Sequence, residues 1–378
     1  MATKRRQTKR AAKAKRGATA RRPAARGPAA RARAGGAKIR KPAAGAGAAR
    51  REDERAQLVA TMKAAAIDRF GPPSVLRTRT LPVPECGPDD VLIAMQAAGV
   101  GIWDAKFRDG EWAEGKQRFP LVLGTDGAGF VVAKGKRVRR FDVGDLVYAY
   151  RYQNPKGGFY AQFVAVDVKH VAHIPPQLGL LEAGAAAATG LTALQGVDEA
   201  LAVKKNETVF IFGASGALGT LAIQFAKRRG ARVIAGASGR DGVALALQLG
   251  ADAALDAHRD DAADRLRSYA LDGIDAALVL AGGGPLERCL DQVRARGRIA
   301  YPNGVEPEPR KRPKVRLIAY DGAVGPREFA RLEKAAAEAR LRVPIGERFP
   351  LAKAAQAHAR LERGHVLGRI VLDLADEG

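Results

Sequence analysis

Cysteine and histidine are scarce in this chain, with two cysteines and five histidines among 378 residues. Cys86 and Cys289 cannot build the disulfide framework of a small secreted domain or a four-cysteine zinc site. His170 and His173 are the only histidines close in sequence, and on an exposed strand they would point to opposite faces. Because a zinc site needs three or four converging ligands, we expect no metal centre. The cysteine content is typical of a reduced, cytoplasmic protein.

Long apolar runs are also missing from the sequence. No stretch approaches the roughly 18 residues needed to span a bilayer, and the N-terminal region lacks the apolar segment of a secretory signal. We therefore expect a soluble protein that does not contact membranes. With 378 residues, the chain is long enough for two domains with a sizeable core.

Residues 1–61 contain no aromatic residue and almost no branched aliphatic one. They hold 19 Lys or Arg against 3 Asp or Glu, a net charge of +16, whereas the rest of the chain carries +8. We expect a disordered Ala/Arg/Lys-rich tail, because such a segment cannot bury enough apolar surface to fold. Its basic clusters would contact nucleic acid weakly and without sequence specificity. The sequence from Met62 has the character of a natural beginning, so the tail is either functional or an upstream extension.

From Met62 onward, short β-prone runs are separated by Gly and Pro turns. This spacing predicts a compact, mostly antiparallel, barrel-like domain. The runs comprise residues 91–99, 129–133, 145–150 and 161–166.

A glycine-rich turn is the clearest single motif. Val209–Phe212 is an apolar run typical of a strand buried on both faces. Gly213, Gly216 and Gly219 follow at intervals of three, and residues 217–229 carry an apolar helical stripe. Strand, glycine turn and helix in this order predict a dinucleotide site, where a pyrophosphate lies on helix N-terminal N–H groups that no Cβ obstructs. A structural turn without a ligand is the alternative.

Beyond this turn, strand-like runs alternate with helix-like ones, which predicts a parallel, doubly wound sheet. An Ala-rich helix at 182–194 precedes the turn. The later strands are predicted at 232–235, 253–255, 276–280 and 298–301, with helices around 242–249, 262–269 and 285–293. Residues 306–314 form a Pro-rich, charged connector, after which we expect the chain to return to the first domain.

The end of the second strand of this sheet indicates the cofactor. NAD-binding folds place Asp or Glu there to hold the ribose 2′-hydroxyl, whereas NADP-binding folds use small residues and a cation. Here Ser238 and Arg240 follow the strand, and no acid stands at its end. We therefore predict NADPH, with Ser238 donating to the 2′-phosphate and Arg240 pairing with it. Asp241 is interpreted as a helix N-terminal residue, and an ordinary exposed charge is the alternative for Arg240.

Several motifs together resemble the zinc-free quinone oxidoreductase branch of the medium-chain dehydrogenases/reductases, from about Met62 to Leu374. The resemblance implies an α/β protein of two domains. Residues 62–183 and 312–378 would form a discontinuous, GroES-like, mostly-β catalytic domain, and residues 184–311 a Rossmann NADP-binding domain with a doubly wound parallel sheet. The motifs are residues 97–106, 124–126, 188–193 and 213–219, with a closing helix and strand in 348–358 and 364–372.

The same resemblance implies a zinc-independent oxidoreductase. In the zinc alcohol dehydrogenases of the superfamily, a cysteine stands where this sequence has Gly101 and a histidine where it has Thr125. Without zinc to polarise a carbonyl, we expect hydride transfer from NADPH to a quinone or another conjugated carbonyl (enone or enal), which delocalises the arriving charge. The catalytic candidates are Lys106 and Asp104, in a stretch similar to the family's Asn-x-x-Asp-x-(Tyr/Lys) segment. A solvated surface lysine and a structural aspartate are the alternatives.

Further positions are implied as contacts of the cofactor. They are Thr189, Thr192, Ser215, Gly216, Ala217, Gly219, Ser238, Arg240, Gly282, Tyr301 and Asn303. Asn303 would bond the carboxamide, and Trp112, in a polar loop, would line the mouth for a planar substrate. We also expect a homodimer. The rival hypothesis is a nucleic-acid-associated protein in which the basic tail acts and the fold is a sensor or an inert platform.

Overall fold

The computed structural model describes residues 60–113 and 115–375, all within one compact unit. Residues 1–59 of the expected disordered tail lie outside the described residues, whereas Thr61, its last residue, begins a strand paired with the next one. No helix in the described ranges is long and apolar enough to cross a membrane.

The first part of the chain is mostly β-structure, as the sequence predicts. β1 pairs with β2 and β4 in a three-stranded antiparallel sheet, and the other early strands join two C-terminal strands in a seven-stranded sheet. The elements are β1 (Thr61–Ile67), β2 (Arg77–Pro82), β3 (Asp90–Val100), α1 (Ile102–Asp109), β4 (Leu121–Val122), β5 (Asp126–Lys134), β6 (Leu146–Tyr150), β7 (Phe163–Asp167) and β8 (Val171–His173), with β15 (Ile345–Pro350) and β16 (Arg369–Asp373).

The remaining strands form a six-stranded sheet in the order β11-β10-β9-β12-β13-β14, with every neighbouring pair parallel. This arrangement confirms the doubly wound α/β architecture. The elements are β9 (Thr208–Phe212), α3 (Ala217–Arg228), β10 (Arg232–Ala237), α4 (Gly239–Gln248), β11 (Ala253–Asp256), α5 (Ala262–Tyr269), β12 (Ile274–Val279), α6 (Leu286–Leu290), β13 (Val293–Pro302) and β14 (Arg316–Tyr320).

One expected boundary is wrong. We expected the chain to return to the first domain at residue 312, but β14 is the edge strand of the parallel sheet, paired with β13 from Arg298–Arg316 to Pro302–Tyr320. The apolar side chains of Val315 and Leu317 pack against the core of this sheet. Their burial and the ladder hydrogen bonds keep the chain in the sheet beyond the charged connector.

Strand β9 lies at the centre of this sheet and is buried on both faces, as predicted. Val209 and Ile211 belong to the apolar cluster on one face, and Phe210 and Phe212 to the cluster on the other. This division follows from the alternation of side chains along a strand. Each fully buried side chain of this kind stabilises the fold by about 1.5–3 kcal/mol.

Helix α2 (Leu180–Gln195) packs between the two large sheets. It contacts β3 and β5 on one side and α3 on the other, which confirms the predicted Ala-rich helix. The contact is close because its residues are small: a Cβ on Gly184 would lie 2.7 Å from the Cβ of Ala97. The remaining α-helices of the described residues are α7 (Pro326–Ala339) and α8 (Ala354–Glu362).

Candidate active site

The glycine turn joins β9 to α3 in the predicted way. Gly213 has φ of +81°, the left-handed region that favours glycine. A Cβ on Gly219 would lie 2.3 Å from the carbonyl oxygen of Gly213, so only glycine lets the helix pack on the turn. At Gly216, the N-cap, the nearest such contact would be 3.5 Å. The backbone at Gly216 is therefore open to a ligand, whereas that at Gly219 is packed.

A cleft of about 390 Å³ lies over this turn. Its walls come from the C-terminal ends of β9, β10 and β12, the start of α1, and the chain leading into β16. None of the described residues lining it is Asp or Glu, and its ionisable groups are His258, His365 and Arg369. The cleft therefore presents hydrogen-bond donors, and its described lining residues carry no carboxylate, which suits an anionic ligand.

Five of the predicted cofactor residues line this cleft: Ser215, Gly216, Ala217, Ser238 and Gly282. The hydroxyl of Ser215 accepts a hydrogen bond of 3.1 Å from the N–H of Ser238, which ties the glycine turn to the end of β10. A Cβ on Gly282 would lie 2.1 Å from the carbonyl oxygen of Glu306, so this wall also requires glycine.

The other predicted cofactor residues stand outside the lining of the cleft. Thr189 and Thr192 donate to carbonyl oxygens of their own helix, at 2.7 and 3.0 Å. Tyr301 donates to Glu308 at 3.1 Å, and Asn303 donates to Asp321 at 2.7 Å. Arg240 is exposed at the start of α4. Their roles in binding stay predictions.

Asp104 is buried beneath the first turn of α1. Its carboxylate accepts hydrogen bonds from the N–H of Gly101 at 2.9 Å, the hydroxyl of Thr125 at 2.6 Å and the hydroxyl of Tyr160 at 3.1 Å. Burial raises the pKa of Asp104 to about 7, although the Thr125 hydrogen bond opposes this. Asp104 does not line the cleft, so the structure places it beneath the cleft wall, where it fixes the start of α1.

A buried hydrogen-bonded chain leads from Asp104 to Arg108. The Arg108 guanidinium lies 3.0 Å from Nδ1 of His358, and Nε2 of His358 lies 3.3 Å from the Tyr160 hydroxyl. Burial, with the charge of Arg108, lowers the pKa of His358 to about 3, so the ring is neutral. Because a guanidinium only donates, Nδ1 accepts and Nε2 carries the proton. The direction of donation is then Arg108 to His358 to Tyr160 to Asp104.

Trp103 and Arg369 form the cleft wall beside Gly101. The indole lies so close to Gly101 that a Cβ there would come within 2.4 Å of the ring. The Arg369 guanidinium stacks on the indole at 4.8 Å and pairs with buried Asp126 at 2.7 Å. Trp103 Nε1 and Arg369 Nε and Nη1 have no hydrogen-bond partner among the described residues. Sequence reasoning missed Arg369 because its motif indicates only a closing strand.

Lys106 is held in ion pairs outside the cleft. Its ammonium lies 2.5 Å from Glu111 and 3.8 Å from Glu306. The hydrogen bond with Glu111 raises the pKa of Lys106, so the side chain stays charged. Trp112 lies nearby, with its ring against the backbone of Gly304, where a Cβ would approach it to 2.3 Å. These contacts link the loop after α1 to the loop after β13.

Two further histidines meet at the end of β10, a site that sequence reasoning missed. The Ser238 hydroxyl lies 2.8 Å from Nδ1 of His365 and 3.1 Å from Nε2 of His258. Nε2 of His365 lies 3.0 Å from Asp241. No local pattern announces this cluster, because its members are up to 127 residues apart in sequence.

The predicted placement of the close histidine pair needs correction. His173 is exposed on β8 and bonds Asp145 at 3.0 Å, but His170 is buried in a short 3-10 helix, 168–170. The local turn, set by the Asp167 side chain accepting from the N–H of Lys169, removes His170 from the strand. Within residues 60–113 and 115–375, no three His, Cys, Asp or Glu side chains are grouped to hold a metal ion.

Comparisons with known proteins agree with this architecture. Residues 87–176 match the model of the alcohol dehydrogenase GroES-like domain, and residues 249–372 match that of the zinc-binding dehydrogenase domain. A probable quinone oxidoreductase of Schizosaccharomyces pombe is 30% identical, over 82% of this chain and 98% of its own length. An alcohol dehydrogenase of Rhizobium meliloti is 31% identical, over 83% and 99%.

Solved structures share the fold over the same part of the chain. An NAD-dependent alcohol dehydrogenase superposes with a TM-score of 0.77 at 30% identity, covering 83% of this chain and 100% of its own. A mycobacterial protein complexed with NADPH superposes with a TM-score of 0.73 at 29% identity, covering 82% and 99%. Both nicotinamide cofactors are therefore represented among the similar structures.

Proposed function

This chain belongs to the medium-chain dehydrogenase/reductase superfamily and is a quinone oxidoreductase-like oxidoreductase, and on that premise we propose that it transfers hydride from NADPH to a quinone or another conjugated carbonyl without zinc. The observation that carries the proposal is the composition of the cleft. It joins a glycine turn to hydrogen-bond donors, and none of its described lining residues is acidic.

The side chains at the position of the zinc site support independence from zinc. Thr125 offers a hydroxyl that already donates to Asp104, and the face of Gly101 is covered by the indole of Trp103. Zinc sites take thiolate, imidazole or carboxylate ligands with tetrahedral geometry. The described residues at this place do not fit that donor set, although one matching domain model is described as zinc-binding.

The end of β10 supports NADPH over NADH. A carboxylate that holds the ribose 2′-hydroxyl is the usual mark of an NAD site, whereas β10 ends at Ala237 and is followed by Ser238, whose side chain faces two imidazoles. The Ser238 hydroxyl and the two imidazoles suit the 2′-phosphate of NADPH better than the 2′-hydroxyl of NADH. Arg240 follows on the exposed start of α4, and we propose that it supplies a positive charge to the same phosphate.

The chain's own residues bind, orient and protect the reactants. The N-terminus of α3 would hold the pyrophosphate through its N–H groups and dipole, and the nicotinamide supplies the hydride when bound. Trp103 and the glycine-lined wall at Gly282 exclude water from the reacting atoms. In this proposal, the Lys106 ammonium leaves its ion pairs with Glu111 and Glu306, outside the cleft, and provides a cation for the charge that develops on the substrate oxygen. Asp104 keeps α1 in place.

Nucleotide titration and turnover test the proposal. The full-length protein should change NADPH fluorescence saturably, with NADH much weaker, and should consume NADPH with quinones or enones in a substrate panel. Chelator treatment should leave the rate unchanged. Arg240→Ala should weaken NADPH more than NADH, whereas Arg267→Ala, an exposed arginine on α5, should weaken neither. Binding of neither nucleotide would overturn the proposal, and activity that requires added zinc would overturn its metal-free part.

The same proposal includes a homodimer and a cytoplasmic location. Sedimentation of the full-length protein should give twice the mass of one chain, 40.0 kDa. A single-chain mass at all concentrations would contradict the dimer.

A further inference from the structure

The hydroxyl of Ser238 lies between two imidazole rings at one end of the cleft. His258 follows β11, and His365 belongs to the loop between α8 and β16, so three separate parts of the chain converge on one oxygen. All three side chains line the cleft. Ser238 is half-buried, while both rings remain accessible to solvent.

The loop that carries His365 is anchored to the glycine turn. The N–H of Gly368 donates to the carbonyl oxygen of Ser215 at 2.9 Å, and Gly368 forms a parallel bridge with Gly216. The guanidinium of Arg360 donates to the carbonyl oxygens of Gly364 and His365, at 2.8 and 3.1 Å. His365 is therefore a fixed part of the nucleotide side of the cleft.

The donors and acceptors around Ser238 have a defined direction. Asp241 is an acceptor, so Nε2 of His365 carries a proton toward it. In the neutral ring Nδ1 then accepts from the Ser238 hydroxyl, and Nε2 of His258 donates to the same oxygen. When His365 is protonated, its Nδ1 becomes a donor, and the Ser238 proton is released for another acceptor.

We propose that Ser238, His258 and His365 form the 2′-phosphate subsite of the NADPH site, and that the preference for NADPH over NADH therefore increases as the pH falls from 8 to 6. The inference rests on the proposed function. Imidazole is the side chain whose charge changes in this range. Protonation adds charge-assisted donors at the place where a phosphate dianion would lie.

Asp241 opposes the binding of a phosphate at both pH values. The hydrogen bond from His365 lowers the pKa of this exposed carboxyl, so it is ionised at both pH values. Its charge repels a phosphate in either state of His365, so Asp241 lowers the preference for NADPH at both pH values, whereas the added charge on the histidines makes the preference change with pH. The other charged groups around the rings are Arg240, the Asp256 carboxylate that accepts from the N–H groups of Gly239 and His258, Arg259 paired with Asp261, Arg360, and Arg363 in the loop.

The test measures the dissociation constants of NADPH and NADH by fluorescence, on full-length protein at pH 6 and pH 8. The ratio of NADH to NADPH dissociation constants should be about tenfold larger at pH 6. His365→Gln and His258→Gln should each lower the ratio at pH 6 by several-fold and flatten its pH dependence. Asp241→Asn should raise the ratio at both pH values. His173→Gln, which removes an exposed histidine on β8, is the matched control and should change nothing.

Protonation of the 2′-phosphate of NADPH cannot produce the larger ratio expected at pH 6. A phosphate monoester loses charge below about pH 6, which would weaken NADPH at low pH. If NADPH binds more tightly than NADH but the ratio stays within twofold of wild type in both histidine variants at both pH values, the subsite inference is overturned and the proposed function stands. If NADPH does not bind at all, both fail.

Discussion

Arg369 and Asp126 form an ion pair of 2.7 Å in which both side chains are removed from solvent, at 2% and 0% exposure. The second carboxylate oxygen of Asp126 accepts a 2.9 Å hydrogen bond from the N–H of Ala188 in α2. One buried carboxylate therefore joins β5, β16 and α2 beneath the cleft. Burial raises the pKa of Asp126, and the charge of Arg369 opposes that rise.

Replacing Asp126 by Asn should lower the free energy of unfolding by about 3–5 kcal/mol, because it leaves the buried guanidinium without a counter-charge. Urea unfolding measures this change. Asp142→Asn is the matched control: it removes a carboxylate that is 83% exposed and paired with Lys134, and should cost less than about 1 kcal/mol. Equal losses for the two variants would contradict the prediction.

Two glycines of the turn should respond differently to alanine. Gly219→Ala should lower the free energy of unfolding by about 1–3 kcal/mol, because its Cβ would meet the Gly213 oxygen at 2.3 Å. A Cβ on Gly216 would make only an ordinary contact at 3.5 Å, so Gly216→Ala should fold normally. It should bind NADPH roughly tenfold more weakly, because its methyl group would obstruct the pyrophosphate. Unchanged NADPH binding by Gly216→Ala would argue against the phosphate position.

Asp104 should make stability depend on pH. Its pKa is about 7 in the folded protein against 3.8 for the free side chain. Between these two pH values the folded state therefore holds a proton on Asp104 that the unfolded state has lost. The contribution of Asp104 to the free energy of unfolding is fully present below pH 3.8 and is lost as the pH rises toward 7. Between pH 5 and pH 8, the free energy of unfolding of the wild type should fall by about 2–3 kcal/mol more than that of Asp104→Asn, because the asparagine cannot titrate. Parallel stability curves in urea would show that Asp104 is ionised throughout.

Lys106 should act through its charge if it serves the reaction. Lys106→Met should lower kcat with a quinone by at least roughly tenfold and leave the dissociation constant of NADPH unchanged. Glu111→Gln, which removes the nearer ion-pair partner at 2.5 Å but keeps the cation, is the control and should retain most of kcat. A Lys106→Met protein with nearly full activity would identify Lys106 as an ion-paired surface residue.

Much of the six-stranded parallel sheet could be predicted because the sequence patterns of its strands and turns are local. Val209–Phe212 is apolar at every position because both faces of β9 are covered, and Gly219 is required by a contact only six residues away. The edge strand β14 was missed because a Pro-rich, charged connector precedes it and is typical of a domain boundary. His170 was placed on a strand because a short 3-10 helix carries almost no sequence signal.

By itself, the sequence determined the two kinds of sheet and the glycine turn, since each depends on neighbours within a few residues. Only the tertiary structure decided what surrounds them. Arg369 reaches Asp126 across 243 residues, and His365 reaches Ser238 across 127. Such contacts depend on how elements pack, and no periodicity or spacing along the chain records which side chains will face each other.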